Sequence, residues 1–169
     1  MILDSVTRRK FSTRFLSLFS AAGAATVLNN TASATPASQE EGVRKLNDQG
    51  KPADSTQFIT PIVAHNGLIY VAGQGAHDEG PASSWDIGKH TTTVMEKVKK
   101  LVETGGSNLD NVVQLSVFLA KIEDYDGMNK VFKTYFPNGG PARTTVAVAA
   151  LPGNSLVEIN CIAAVVKKG

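Results

Sequence analysis

Two charged residues near the end of the chain are the ones best suited to chemistry. Arg143 opens an apolar run in Pro141-Ala142-Arg143-Thr144-Thr145-Val146, and Glu158 sits inside the next one, Val157-Glu158-Ile159. Strand interiors rarely carry a charge without a reason, because burying an unpaired ion is costly. On adjacent strands the two could cancel as an ion pair. They could also share a small ligand. A guanidinium grips a planar carboxylate with two parallel hydrogen bonds, and a glutamate can orient a water and move a proton.

The other reactive side chains carry weaker patterns. Thr144 and Thr145 read as β-branched strand residues rather than nucleophiles, since nothing marks a base beside them. Cys161 is the single cysteine and lies in an apolar run, so no intrachain disulfide is available and a buried, inert thiol is expected. His65, His77 and His90 are scattered without H-x-H or H-E-x-x-H spacing, so no metal site is expected. His77 and Trp85 fall in a loop that borders the site in this reading. Gly73-Gln74-Gly75 lacks the strand-to-helix context of a phosphate loop. Lys97, Lys99 and Lys100 read as a solvated cluster on a helix.

Regular elements must position these residues. Phe58 to Val63 and Leu68 to Ala72 read as strands flanking a hairpin turn at Asn66-Gly67. Gly73 to Ser84 reads as a loop. Ile87, Val94, Met95, Val98, Leu101 and Val102 recur at helical spacing, which predicts a helix from near Trp85 to Thr104, stopped by Gly105-Gly106. Asn111 to Leu119 is a strand. Asp124 caps a second helix bearing Tyr125, Met128, Phe132 and Tyr135, ended by Pro137. Val146 to Ala150 and Leu156 to Val166 are the last strands, the final one apolar enough to be covered on both faces. The order β-β-α-β-α-β-β predicts an α+β fold, with a mixed sheet and both helices on one face. The other face is apolar in places and needs a cover, for which self-association is the simplest source.

The chain has 169 residues, 42% of them hydrophobic, and a net charge of +2. Residues 1–34 carry Arg8, Arg9, Lys10 and Arg14 against Asp4, so without their +3 the remainder is −1. A near-neutral body gives no electrostatic case for nucleic acid. Residues 1–34 themselves read as an export signal. Thr7-Arg8-Arg9-Lys10-Phe11 is a twin-arginine pattern, a mildly apolar stretch runs to about Leu28, and Ala32-Ser33-Ala34 is a cleavage site. The apolar stretch is too short for a transmembrane span. Cleavage would leave an extracytoplasmic, periplasmic protein with no stable membrane insertion. Residues 35–55 read as a flexible lead-in, and 56–169 as the folded domain.

The domain resembles the Rid (YjgF-type) family of reactive-intermediate, or imine, deaminases. The resemblance rests on Leu68-Ile69-Tyr70-Val71-Ala72-Gly73-Gln74, Asn111-Val112-Val113, Val117-Phe118-Leu119, and Met128-Asn129-Lys130-Val131-Phe132 with Tyr135-Phe136. Pro141-Ala142-Arg143-Thr144-Thr145-Val146, Leu151-Pro152 and Val157-Glu158-Ile159 complete it. It implies a chorismate-mutase-like fold, a homotrimer with clefts between subunits, and hydrolysis of 2-imino acids to 2-oxo acids and ammonia without a cofactor. It also implies that Arg143 anchors the substrate carboxylate and that Glu158 serves the attacking water. Asn129, Gly73, Gln74 and Thr145 line the pocket in the same reading. The chain departs from the family pattern in four places, one of them a loop from Gly75 to Ser84 that is shorter than expected. Ala72 stands where a serine is frequent, Phe58-Ile59 where a tyrosine is frequent, and Thr145 where some members carry cysteine. These departures keep open an alternative, a non-catalytic trimeric module that binds a small carboxylate or a partner protein.

Overall fold

The computed structural model describes residues 42–77 and 86–166. Residues 1–34, read above as an export signal, and Trp85 lie outside the described residues. Among the described residues six strands form one sheet: β1 (Arg44–Leu46), β2 (Ile62–His65), β3 (Leu68–Gly75), β4 (Val112–Leu119), β5 (Ala142–Ala147) and β6 (Val157–Ala164). Their order across the sheet is β1-β2-β3-β6-β4-β5. Only β4 and β5 run parallel. Helices α1 (Ile87–Thr104) and α2 (Tyr125–Tyr135) pack against each other, and α1 also lies on β3 and β6. The fold is the expected α+β arrangement, a mixed sheet with two helices.

Local chemistry explains most of the boundaries. Asn66 and Gly67 both take positive φ, 50° and 75°, the geometry of a tight two-residue hairpin turn that matches strand twist. The α1 helix is capped by Asp86, whose carboxylate accepts from Lys89 N–H at 2.9 Å. Its buried stripe is His90, Thr91, Val94, Met95, Val98, Leu101 and Val102. At Gly105 the chain passes so close to the sheet that a Cβ would strike Ile69 Cδ1, so glycine there permits close contact. The core consists of the inward residues of the central strands, among them Ile69, Leu115, Val117, Leu119, Val157 and Ile159, all 0% exposed.

Several boundaries differ from the sequence expectation. The lead-in is not wholly flexible, because Arg44–Leu46 pairs antiparallel with β2 and Leu46 packs on the core. The first long strand starts at Ile62 rather than Phe58. Asp54 instead accepts from Thr56 N–H (2.8 Å) and Oγ1 (2.7 Å), folding 54–57 into a turn, and Phe58 is left fully exposed. The β3 strand does not end at Ala72 but runs through a bulge to Gly75. The β5 strand comes earlier than Val146 to Ala150, because its parallel register with β4 starts at Ala142. Asp124 precedes α2 but makes no side-chain cap bond, since a 3-10 turn (Ile122–Asp124) delivers the backbone already helical. Along β6 inward residues are buried and outward ones partly exposed, so within one chain a single face is covered.

Candidate active site

Register places Arg143 and Glu158 on opposite faces of the sheet. Arg143 pairs with Leu115, which is buried on the helix side. Glu158 pairs with Phe118 and Gly75, while its neighbours Val157 and Ile159 point into the core. The two strands are not adjacent either, because β4 separates β5 from β6. The ion pair that sequence left open is therefore not formed within the chain.

The Arg143 side is built from rings. The guanidinium carbon lies 4.7 Å from the Phe132 ring centroid and 5.8 Å from that of Tyr125. Its Nη2 donates to the Tyr125 hydroxyl at 3.3 Å. Stacking on aromatic faces holds a planar fork in one orientation and leaves its other donors for a planar anion. Asn129 follows Tyr125 by four residues and precedes Phe132 by three, so helical spacing sets it on the Arg143 side of α2. Thr145 shares the face of Arg143, two residues on, and its hydroxyl is buried with no hydrogen-bond partner. A buried hydroxyl without a partner costs stability, which makes it a candidate contact for a ligand beside Arg143.

The Glu158 side is built from missing side chains. A Cβ on Gly73 would collide with Glu158 Oε1, so the carboxylate lies directly over bare backbone. Gln74 faces elsewhere in register, opposite Ile159, and its amide donates to the carbonyls of Ala72 and Gly73 at 3.0 Å each. These bonds hold the bulge that presents Gly73. Lys97, read from sequence as a solvated charge, reaches the Gly75 carbonyl at 3.1 Å. The approach to β6 is pinned as well. Ser155 Oγ accepts from Ala76 N–H (2.9 Å) and donates to the Val157 carbonyl (2.7 Å), and buried His90 accepts from Leu156 N–H through Nδ1 (3.1 Å). None of these supports was read from the sequence, and those from Lys97, from His90 and between Ser155 and Ala76 join residues far apart in the chain.

Cys161 and Tyr135 are quiet. Burial pushes the Cys161 thiol up to about 12, which keeps it protonated and unreactive. Burial, with the Glu96 carboxylate that accepts its hydroxyl at 2.8 Å, raises Tyr135 to about 12. Among the described residues no three of His, Cys, Asp and Glu lie close enough to hold a metal ion, and no helix is long and apolar enough to cross a membrane. A cavity of about 260 Å³ opens by Leu109, Phe136 and Pro141 but contains none of the expected site residues.

A mixed sheet with two helices is the architecture of one known class. Residues 48–165 match the family described as Endoribonuclease L-PSP, and the chain belongs to it, the Rid or YjgF family. It is 33% identical over 123 residues to the 2-iminobutanoate/2-iminopropanoate deaminase of Homo sapiens, covering 72% of this chain and 90% of that one. It is 37% identical over 105 residues to mitochondrial protein mmf2 of Schizosaccharomyces pombe, covering 60% and 83%. Among solved structures, yeast Mmf1 superposes with a TM-score of 0.63 at 28% identity, covering 73% of this chain and 99% of its own. The Rid-family protein YyfA of Yersinia pestis gives 0.62 at 29% identity, covering 73% and 100%.

Proposed function

We propose that this protein hydrolyses small 2-imino acids to 2-oxo acids and ammonia, as a homotrimer whose sites lie between subunits. One observation carries the reading: Arg143 and Glu158 stand on opposite faces of one sheet, separated by β4, and neither neutralises the other. A ligand held by both must lie between two copies of the chain. The outer face is suited to such contact, with Tyr70 40% and Val113 53% exposed beside partly exposed Phe118 and Ile162. Names of relatives such as the human deaminase support the same chemistry.

In this mechanism Arg143 binds the substrate carboxylate bidentately and so fixes the C=N carbon. Asn129 and the unpartnered Thr145 hydroxyl complete that half of the site. Glu158, laid over Gly73 on the neighbouring copy, orients a water and accepts its proton. The imine is already electrophilic, so anchoring and one acid–base group meet most of the chemical demand, and the mechanism uses no metal or cofactor. The test is decay of imines generated in situ by an amino-acid oxidase, with Arg143→Ala alongside. Acceleration by the parent but not the variant supports the reading, and no acceleration with any imine overturns it.

A second reading, a trimeric module that binds a small carboxylate without turnover, is favoured by the missing hydroxyls at Ala72 and Ile59. Ligand binding without acceleration would select it. Residues 1–34 are proposed to export the folded domain through a twin-arginine route to the periplasm, followed by cleavage after Ala34. Retention of an Arg8→Lys, Arg9→Lys variant in the cytoplasm is the expected result, and unchanged export would contradict the route.

A further inference from the structure

The Glu158 half-site holds a second group able to carry a proton. The ring of His77 lies against two glycines. A Cβ on Gly75 would collide with Nε2 and Cε1 of the imidazole, and a Cβ on Gly153 would collide with Nδ1. Gly153 takes a positive φ of 60°, a conformation that costs glycine little and other residues more. Two glycines from distant parts of the chain therefore clear the space one imidazole occupies.

That space is beside Glu158. Gly75 pairs with Glu158 across β3 and β6, so side chains at these positions share the outer face. The carboxylate lies over Gly73 and the imidazole over Gly75, one same-face step along β3, roughly 7 Å. His77 lies against these glycines yet is exposed, so the ring is open to a ligand. Ser155 fastens the segment by accepting from Ala76 N–H, next to His77 in sequence.

We infer that His77 is a second acid–base residue of this half-site, which gives the substrate nitrogen the proton it needs to leave as ammonia. The inference rests on the imine-hydrolysis reading above. Water oxygen bonds to the carbon of the protonated imine, the C=N π pair moves to nitrogen, and water gives a proton to Glu158. The imidazolium of His77 then protonates the nitrogen of the amino alcohol. The C–N bond breaks with its pair leaving on ammonia, an oxygen lone pair closes the carbonyl, and the hydroxyl proton returns to the imidazole. Ammonia takes the proton held by Glu158 and departs as ammonium. An imidazole suits the task because one ring nitrogen can give a proton and take it back.

The experiment follows imine decay by the full chain and by His77→Ala, His77→Gln, Gly75→Ala and the double variant Gly75→Ala/His77→Ala. Both His77 variants should lose about 100-fold in kcat with KM within about twofold, the range for one general acid. Free imidazole should restore part of the rate to His77→Ala but none to Arg143→Ala. Gly75→Ala should displace the ring and lose rate likewise, and the double variant should be no worse than His77→Ala. Full kcat in His77→Gln overturns the inference while leaving the imine-hydrolysis reading intact. So do failure of imidazole rescue and additive losses in the double variant. No acceleration by the parent overturns both.

Discussion

The two halves of the candidate site are built by opposite means. Around Arg143 the fold adds bulk: Phe132 and Tyr125 lie against the guanidinium from α2. Around Glu158 it removes bulk: Gly73 and Gly75 lack the side chains that would displace the carboxylate and the neighbouring imidazole. An anchor for a planar anion gains from rigid stacking, whereas proton-handling groups need bare backbone and room for water. The contrast ties each half to its own kind of vulnerable position.

Removing the anchor should have the largest effect. Arg143→Ala is expected to lower kcat/KM by about 100-fold or more, with the thermal midpoint nearly unchanged because no ion pair is broken. Equal loss of stability would make Arg143 structural. Next, Gly73→Ala should push the Glu158 carboxylate aside and lower kcat by about tenfold, while far-ultraviolet circular dichroism and the thermal midpoint stay close to the parent. Unchanged kcat would mean the carboxylate's position over Gly73 is unimportant. Phe132→Leu keeps the core filled but removes the ring nearest the guanidinium. It should raise KM several-fold at a stability cost of about 1 kcal/mol, and KM is the quantity that separates stacking from packing.

The smallest expected effects lie away from both halves and mark the comparison's limits. Tyr135 has its folded value raised to about 12 from an ordinary 10.0, chiefly by burial. The folded state thus holds a proton the unfolded chain releases, and stability present below pH 10 should be lost as pH rises towards 12. Tyr135→Phe should flatten denaturation profiles over that window, and an unaltered slope would contradict the assignment. Cys161, buried with its thiol held up at about 12, should resist alkylation in the native protein and react on unfolding.

The contrast also explains what could be read from the sequence. Helix α1 was legible because Val94, Met95, Val98, Leu101 and Val102 repeat at its period, and the β2–β3 hairpin because Asn66-Gly67 fits only a few turns. Arg143 and Glu158 were legible as charges in apolar runs. Their placement on opposite faces was not, since it depends on β4 inserting between β5 and β6, a pairing that no local pattern encodes. Phe132 and Tyr125 were visible as an apolar stripe, but nothing local showed which strand would pass beneath them. The roles of Gly73, Gly75 and Gly153 were hidden because a glycine's purpose lies in what fills the space it leaves. The bulge that carries β3 on to Gly75 was hidden for a related reason, since Gly-Gln-Gly reads locally as a loop.

The central claim is that Arg143 and Glu158 meet only between copies of the chain, and subunit complementation tests it most directly. Arg143→Ala and Glu158→Gln proteins, each expected to be inactive, would be unfolded together at equal amounts, refolded as mixed oligomers and assayed for imine decay. Sites shared between subunits predict recovery of about one quarter of parent activity, because random mixing gives that fraction of interfaces both intact residues. Mixed oligomers that form but remain as inactive as either variant alone would contradict the account, placing both residues' work within a single chain.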